Sequence, residues 1–509
     1  MEYIGKSEGL EYNNPEQIKC HAENGDLYAQ IKIADMYYYG EEVEKDLEIA
    51  VKWFEKAAER GDLYSQNKLG DMYYKGHGVE KDYISALKWH TKAAEQGDIY
   101  AQNRIAGMYY KGHGTEENPK IAFEWYTKAA EQGSSYARNN LGDMYYRGRG
   151  VVKDFKLSFY WYLKAAERGE SYAQNRLGIM YSKGYGIEKD YNKALEWHMK
   201  AAEQGNSYAQ NKLGDIYHKG YGVEKNYEIA FNWYLKAAEQ GDAYAQNKLG
   251  DMYFYGEGVK KNLFKTVEWC KKAAEQGDSY ARNRLGDMYC RGFGVSKDLD
   301  EAYYLYKKAA KQGNLKAQNS LGDMYFYGKG MKKDPEEAFK WYKKAAERGD
   351  LNAQNRLGNM YYTGKGVEKN LEKAFLWCER GAKQGDSYAQ NRLGNMYYYG
   401  EGVVKDLNKA LEWYRKAANR GDSKAQNNLG NMYRHGEGVE KNLEMSCKWY
   451  KKAAKRGDSY AQNNLGDMYY YGEGVKRDNE KSLEYYIKAA KRKNIDAIKN
   501  LMSKFNIEY

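Results

Sequence analysis

The sequence is poor in proline and cysteine and has no long apolar run. Only 3 of its 509 residues are proline and only 5 are cysteine, too few cysteines for a disulfide framework in so long a chain. No stretch approaches the ~18 apolar residues of a membrane span. The first residues, MEYIGKSEGLEYNNPEQ, lack the apolar core of a signal peptide. We therefore expect a soluble protein of cytoplasmic type, with no membrane insertion.

A strong excess of one charge is also missing. The chain carries 82 basic and 71 acidic residues, a net charge of +11, and the two signs interleave. Binding to nucleic acid would require lysines and arginines clustered on one face, so we expect no nucleic-acid partner. Aromatic residues make up 15% of the chain, which argues against disorder.

One phrase repeats throughout the chain with a period of 36 residues. Residues 241–262 read GDAYAQNKLGDMYFYGEGVKKN, and residues 457–478 read GDSYAQNNLGDMYYYGEGVKRD. A glycine opens each of thirteen copies, which run without insertion or deletion from residue 25 to residue 492. We number the copies from repeat 1 to repeat 13, and the positions in each copy from slot 1, the opening glycine, to slot 36. A fixed period of this length is typical of a repeat architecture.

Each copy predicts two helices. Slot 2 is usually aspartate, a good N-cap. Apolar residues follow at helical spacing over slots 3 to 15, and we call this segment helix A. Glycine at slot 16 suits the left-handed conformation that ends a helix. Asp or Asn at slot 22 predicts the cap of helix B, slots 23 to 36, and Pro119 and Pro335 fall at its first position. Helix B is expected to bury slots 26, 29, 30 and 33.

Small residues predict where the two helices cross. Slot 10 is glycine in eleven copies and alanine in the other two, Ala34 and Ala106, although glycine within a helix costs ~1 kcal/mol. Slot 26 is always Ala, Ser or Thr. We expect helices A and B to pack closely at these two slots.

The predicted fold is therefore an all-α, α/α solenoid, a right-handed superhelix of helical hairpins. Residues 1–24 are expected to form an N-terminal cap, residues 25–492 the thirteen repeats, and residues 493–509 a C-terminal capping helix. In that last segment Ala497, Leu501 and Phe505 continue the apolar stripe of helix A.

The pattern A-x-x-x-L-G-x-M-Y-x-x-G-x-G-V-x-x-D-x-x-x-A-x-x-W-Y-x-K-A-A resembles the Sel1-like repeat, a relative of the tetratricopeptide repeat. The resemblance covers about residues 25–509 and implies a protein-binding adaptor or scaffold. Some bacterial relatives carry a disulfide in each repeat, and this chain departs from them. Sel1-like arrays are known from amoeba-infecting viruses and intracellular bacteria. If this chain is a viral or effector protein, its expected location is the host-cell cytoplasm.

Catalytic and metal motifs do not emerge from the sequence. Ser85 and Lys88 match S-x-x-K, but they occupy variable slots and no S-D-N or K-T-G accompanies them. The seven histidines form no i, i+4 pair. Cys270 and Cys378 replace tyrosine at slot 30, and Cys290 occupies an aromatic slot, so all three are interpreted as packing residues. We expect no cofactor, no metal and no catalytic residue.

A second stripe of helix A, at slots 4, 7, 11 and 14, lies on one helix face. Slot 7 is asparagine in twelve of thirteen copies, and slot 11 is Asp or Asn in eleven. Two interpretations remain open: a structural ladder between repeats, or amides that bind an extended peptide on the concave face while aromatic residues hold its side chains. The second interpretation selects Asn211, Asn247, Asn283, Asn319, Asn355, Asn391, Asn427, Asp251, Asp287, Asp323, Asn359 and Asn395, with Tyr255, Phe254, Phe326, Tyr327, Tyr398 and Tyr399 beside them.

The sequence thus favours a non-enzymatic scaffold, expected to be monomeric, that binds a segment of a partner protein. The alternative is a hydrolase of the β-lactam-processing kind linked to some cysteine-rich Sel1-like proteins, for which we find no site here.

Overall fold

The computed structural model describes residues 14–508, and in that range the regular structure consists of 28 α-helices without a strand. The chain forms two compact units, residues 1–261 and 262–509. Residues 1–13 of the predicted N-terminal cap and Tyr509 of the predicted C-terminal helix lie outside the described residues. The helices of the first unit are α1 Pro15–Glu23, α2 Leu27–Tyr39, α3 Leu47–Glu59, α4 Leu63–Lys75, α5 Tyr83–Glu95, α6 Ile99–Lys111, α7 Pro119–Glu131, α8 Ser135–Arg147, α9 Phe155–Ala166, α10 Ser171–Lys183, α11 Tyr191–Glu203, α12 Ser207–Lys219, α13 Tyr227–Glu239 and α14 Ala243–Tyr255. Those of the second are α15 Leu263–Glu275, α16 Ser279–Arg291, α17 Leu299–Lys311, α18 Leu315–Tyr327, α19 Pro335–Glu347, α20 Leu351–Thr363, α21 Leu371–Lys383, α22 Ser387–Tyr399, α23 Leu407–Asn419, α24 Ser423–His435, α25 Leu443–Lys455, α26 Ser459–Tyr471, α27 Asn479–Ala490 and α28 Ile495–Phe505.

Helix boundaries follow the predicted slots. In repeat 10 the Asp350 carboxylate accepts from the Ala353 amide at 2.9 Å and begins α20. Gly364, with φ 72°, ends that helix in the left-handed conformation. The Asn370 side chain then accepts from the Lys373 amide and begins α21. These caps confirm the predicted helical hairpins.

The core lies between consecutive helices. Ala353, Leu357 and Met360 of α20 are buried, and the first two pack against Ala345 and Ala346 of the preceding α19. Slot 29 differs from the expectation, because its tryptophan is buried in only some copies, Trp341 among them, and half-buried in others. A cation from slot 32 covers the indole; the Lys452 ammonium, for example, lies 4.1 Å from the centre of the Trp449 ring. Such contacts contribute roughly 0.5–1 kcal/mol at exposed sites.

The close approach at slot 10 is confirmed, but the residue that covers the glycine is at slot 30. A Cβ on Gly286 would lie 2.8 Å from Cε1 of Tyr306. Slot 26 contacts the backbone instead: the Ser446 hydroxyl donates to the Gly430 carbonyl at 2.8 Å. The small residue at slot 26 thus brings helix B close, and the glycine makes room for an aromatic ring.

Buried glutamines link each repeat to the next. At slot 6, Gln354 donates to the carbonyl oxygen of Ala346 in the preceding repeat at 3.2 Å. Its own side-chain oxygen accepts from Gln384 at 3.1 Å. Since an unsatisfied buried carbonyl costs about 1–3 kcal/mol, this pairing favours one register between neighbouring repeats.

Glycine at slot 18 serves the same junction. Gly366 has φ 74°, and a Cβ there would overlap the carbonyl group of Pro335, the first residue of helix B in the preceding repeat. The loop between the two helices therefore packs directly on neighbouring backbone, which only glycine permits.

Candidate functional site

The candidate site is one face of the A helices, which we call the A-helix face and define as slots 4, 7, 8, 11, 14 and 15. In the first unit it carries the predicted residues Asn211, Asn247, Asp251, Phe254 and Tyr255. In the second unit it carries the others, from Asn283 to Asn427. The structure separates them into residues that join repeats and residues that face solvent.

The slot 7 asparagines point into the junctions. The Asn319 amide donates to the carboxylate of Asp350 at 2.7 Å, and the Asn355 amide to that of Asp386 at 3.1 Å. Each of these acceptors is the N-cap of the next A helix. Asn211, Asn283 and Asn391 are buried, and Asn247 and Asn427 are half-buried. The side-chain oxygens of Asn391 and Asn427 accept from Asn428 and Asn464, respectively, one repeat further along. Whether these amides also contact a peptide stays a prediction.

Slot 11 is the acceptor of a polar node. The Asp323 carboxylate accepts from the hydroxyl of Tyr342 in the same repeat at 2.5 Å, and it pairs with Arg356 of the next repeat at 3.1 Å. Asp287 accepts from Tyr306 at 2.6 Å, and Asn395 accepts from Tyr414 at 2.7 Å. Asn359 instead accepts from Arg392 at 3.0 Å.

The electrostatics of these nodes follow from burial and pairing. Burial raises the pKa of the Tyr342 hydroxyl, and the hydrogen bond to Asp323 raises it further. For Arg356, burial lowers the pKa, but Tyr342 and Asp323 outweigh it and the pKa is raised. At the first unit's Asp71, burial raises the pKa, yet the His90 ring at 3.5 Å, the hydrogen bond from Tyr100 and the Arg104 charge bring it down to about 2.

Slot 14 makes a second contact between repeats. The Tyr398 hydroxyl donates to Glu437 at 2.5 Å, and Tyr362 donates to Glu401 at 3.0 Å. Burial, followed by the Glu437 carboxylate, raises the pKa of Tyr398 to about 12. Phe326 at the same slot packs edge-to-face on Tyr327. Slot 14 is thus half-buried and engaged in contacts.

Tyrosines at slots 4 and 15 form the exposed part of the face. Tyr388 at slot 4 is 46% exposed, and Tyr399 at slot 15 is 66% exposed. Tyr327 and, in the first unit, Tyr255 are exposed at slot 15 as well. Tyrosine offers a large apolar area and one hydrogen-bonding group with few rotatable bonds, which suits it to protein interfaces.

Two cavities open between these tyrosines in the second unit. One, of about 460 Å³, is lined by Phe326, Tyr327, Arg356 and Tyr388 among others. The next, of about 360 Å³, shares Tyr388 and is lined further by Tyr362, Tyr399, Arg392, Glu401 and Lys424. Two adjacent openings sharing one aromatic wall can accept successive side chains of a bound segment.

The residues considered for chemistry have structural roles. The Ser85 hydroxyl donates to the capping Asp82 at 2.6 Å, and the Lys88 ammonium lies 5.5 Å from the Trp89 ring centre. Cys378 is buried, and burial raises the pKa of its thiol to about 11. Within residues 14–508, no group of three or more His, Cys, Asp and Glu side chains is placed to hold a metal ion.

Sequence reasoning missed the slot 8 cations and the slot 17 acids. Slot 8 is usually Lys or Arg, and slot 17 is glutamate in repeats 11, 12 and 13. The missed signal was the spacing of slots 8 and 11. Slot 8 lies three residues before slot 11 of its own repeat, but its partner is the slot 11 residue of the preceding repeat, 33 positions earlier.

A sequence model of the Sel1 repeat matches the chain in thirteen consecutive segments, the first at residues 27–62 and the last at residues 459–494. The chain belongs to the Sel1-repeat family. It is similar to c5321, described as a protective antigen of uropathogenic Escherichia coli strains with an SLR fold: 33% identity, 97% of this chain, 98% of that chain and a TM-score of 0.63. A Sel1 repeat protein from Oxalobacter formigenes is 30% identical over 64% of this chain and 98% of that one, with a TM-score of 0.55.

Sel1-repeat solenoids generally mediate protein–protein interaction. A search of curated proteins found no match to this chain. Among the helices of residues 14–508, none combines the length and the apolar character needed to cross a membrane.

Proposed function

We propose that this protein is a non-enzymatic scaffold that holds a segment of a partner protein on the A-helix face, with repeats 9 to 12 as its main site. The observation that carries the proposal is the pair of adjacent cavities around Tyr388. Exposed tyrosines form part of their walls, and Asn319 and Asn355, which line one of them, are held by hydrogen bonds between repeats.

Rigidity beneath the tyrosines supports binding. The slot 7 and slot 11 side chains are already ordered by their hydrogen bonds, so a ligand would not have to immobilise them. A tyrosine pair that loses most of its exposed area on binding is the kind of feature that dominates interface energies.

The test is a selection of twelve-residue peptides from a display library on the full-length protein, followed by affinity measurements on variants. We expect Tyr388→Ala combined with Tyr399→Ala to weaken the selected peptides by about tenfold or more. Tyr304→Ala is the matched control, because Tyr304 is a similarly exposed tyrosine on helix B of the same unit. Equal weakening by both variants, or none by the pair, would place the binding surface elsewhere.

A further inference from the structure

Arginine at slot 8 meets a charged acceptor at most junctions that carry it. The Arg104 guanidinium pairs with Asp71 at 2.8 Å, Arg176 with Asp143 at 3.5 Å, and Arg356 with Asp323 at 3.1 Å. In each case the cation of one repeat neutralises the slot 11 carboxylate of the preceding repeat.

Arg392 occupies the same position but meets a neutral acceptor. Its Nη1 donates to the side-chain oxygen of Asn359 at 3.0 Å and to the Tyr388 hydroxyl at 3.3 Å. Asparagine keeps the acceptor oxygen and the shape of aspartate, but it has no charge. In the described part of the chain, no carboxylate lies within ion-pair distance of Arg392.

A second substitution affects the same node. Slot 30 of this repeat is Cys378, where most copies have a tyrosine or histidine that bonds to the slot 7 or slot 11 acceptor. The small thiol is buried and lies 3.2 Å from the position of a Cβ on Gly358. The surroundings of Arg392 thus lack both the slot 11 carboxylate and the slot 30 phenol that Arg356 has one repeat earlier, in Asp323 and Tyr342.

The unneutralised guanidinium lines an open cavity. The opening of about 360 Å³ has Arg392 and Lys424 on its walls, together with Tyr388, Tyr399 and Glu401. Glu401 is held by the Tyr362 hydroxyl at 3.0 Å, and Lys424 lies near the capping carboxylates of Asp422 and Asp458. Among residues 14–508, Arg392 therefore has no carboxylate of its own within ion-pair distance, although Glu401 lies on the wall of the same cavity.

We propose that this cavity binds a carboxylate side chain, Asp or Glu, of an acidic segment in the partner protein. A carboxylate completes the fork of hydrogen bonds that a guanidinium offers, and the flanking tyrosines reduce its exposure to water. A nucleic-acid strand is the less favoured occupant, because Sel1-repeat solenoids bind protein partners. Its phosphates would compete for the same guanidinium, so the test below includes an oligonucleotide. This inference rests on the proposed function and names the chemistry of the partner.

The test uses fluorescein-labelled hexaglutamate and hexaglutamine peptides and the full-length protein, with fluorescence anisotropy as the readout. We expect hexaglutamate to bind at least about tenfold more tightly than hexaglutamine at low salt. Arg392→Gln and Asn359→Asp should each remove most of that difference. Asn359→Asp is the sharper variant, because it supplies the internal carboxylate that Asp323 provides to Arg356 and so preserves a packing already present in the chain.

Asn442→Asp is the charge-matched control. Asn442 lies outside the A-helix face, at slot 22, where its side chain caps α25 by accepting from the Met445 amide at 2.8 Å and where most copies carry aspartate. Non-specific attraction to a chain of net charge +11 would fall equally in the two Asn→Asp variants. Hexaglutamate binding that is absent, or equal in Asn359→Asp and Asn442→Asp, overturns the inference, and so does tighter Arg392-dependent binding of a six-nucleotide oligo-dT. Peptides from the display selection that are neutral and insensitive to Asn359→Asp would remove the acidic partner but leave the proposed function intact.

Discussion

Replacing Gly286 by alanine tests why slot 10 is glycine. A Cβ on Gly286 would lie 2.8 Å from Cε1 of Tyr306, whereas ordinary contacts begin at 3.4 Å. The ring would have to withdraw by roughly 0.6 Å. Since the Tyr306 hydroxyl now lies 2.6 Å from the Asp287 carboxylate, that shift would stretch the bond to the edge of hydrogen-bonding distance.

Two copies show what alanine at slot 10 accompanies. Ala34 lies in a repeat whose slot 30 is Phe54, which has no hydroxyl. Ala106 lies in a repeat whose slot 11 is Gly107, which offers no side-chain acceptor to Tyr126. In both repeats with alanine at slot 10, therefore, no hydrogen bond joins the side chains of slots 30 and 11.

The magnitude follows from two opposing terms. Losing a hydrogen bond to a charged group costs about 1.5–3 kcal/mol, and alanine gains about 1 kcal/mol over glycine in a helix. Gly286→Ala should therefore destabilise repeat 8 by about 0.5–2 kcal/mol. In a Tyr306→Phe background the bond is already absent, so the same substitution should be close to neutral or slightly stabilising.

The assay is native-state hydrogen exchange of α16 and α17, followed by mass spectrometry, which measures the local free energy of opening. Whole-chain unfolding is unsuitable, because a long repeat array does not unfold in a two-state transition. The control is Ala106→Gly, which should cost only the propensity difference of about 1 kcal/mol. An equal cost of Gly286→Ala in the unmodified chain and in the Tyr306→Phe background would refute the link between slots 10, 11 and 30.

Two further predictions concern packing at a junction and pH. Gly366→Ala should cost about 2 kcal/mol more than Gly349→Ala, because both glycines have positive φ but only the first would bring its Cβ onto Pro335; comparable exchange rates in the two variants would contradict this. Burial, followed by the Lys212 charge, lowers the pKa of His198 to about 3 from 6.5. The unfolded chain takes up this proton below about pH 6.5, and the folded chain only near pH 3. The local unfolding free energy should therefore fall by about 1.4 kcal/mol for each unit by which the pH is lowered in that window. His198→Phe should remove that component, and parallel pH profiles of the local unfolding free energy around α11 would argue against it.

The hairpins could be predicted because their signals are local. A cap at slot 2, a glycine at slot 16 and a cap at slot 22 each act within a few residues, and the structure has them where the sequence placed them. The family resemblance is confirmed by the same repeat.

Contacts between repeats were harder to predict, because the copies are nearly identical. A partner in the same repeat and a partner in the next repeat then look alike in the sequence. Asn319 could have faced a peptide or the next repeat, and periodicity alone gives no preference between them. Its bond to Asp350 depends on how far α20 is displaced along α18, which follows from packing rather than from sequence spacing. The pairing of Gly286 with Tyr306 instead of slot 26 was missed for the same reason.

The hydrogen bonds at the junctions also determine how such a chain can change length. If residues 349–384 were deleted, Asn319 would meet Asp386 in place of Asp350, and Gln390 would meet the carbonyl of Ala346 in place of that of Ala382. Recombination in steps of 36 residues thus rebuilds an existing junction, whereas inserting one residue into a helix would rotate every later side chain by about 100°. The number of copies can therefore vary by exchange between copies, while the length of each copy stays fixed.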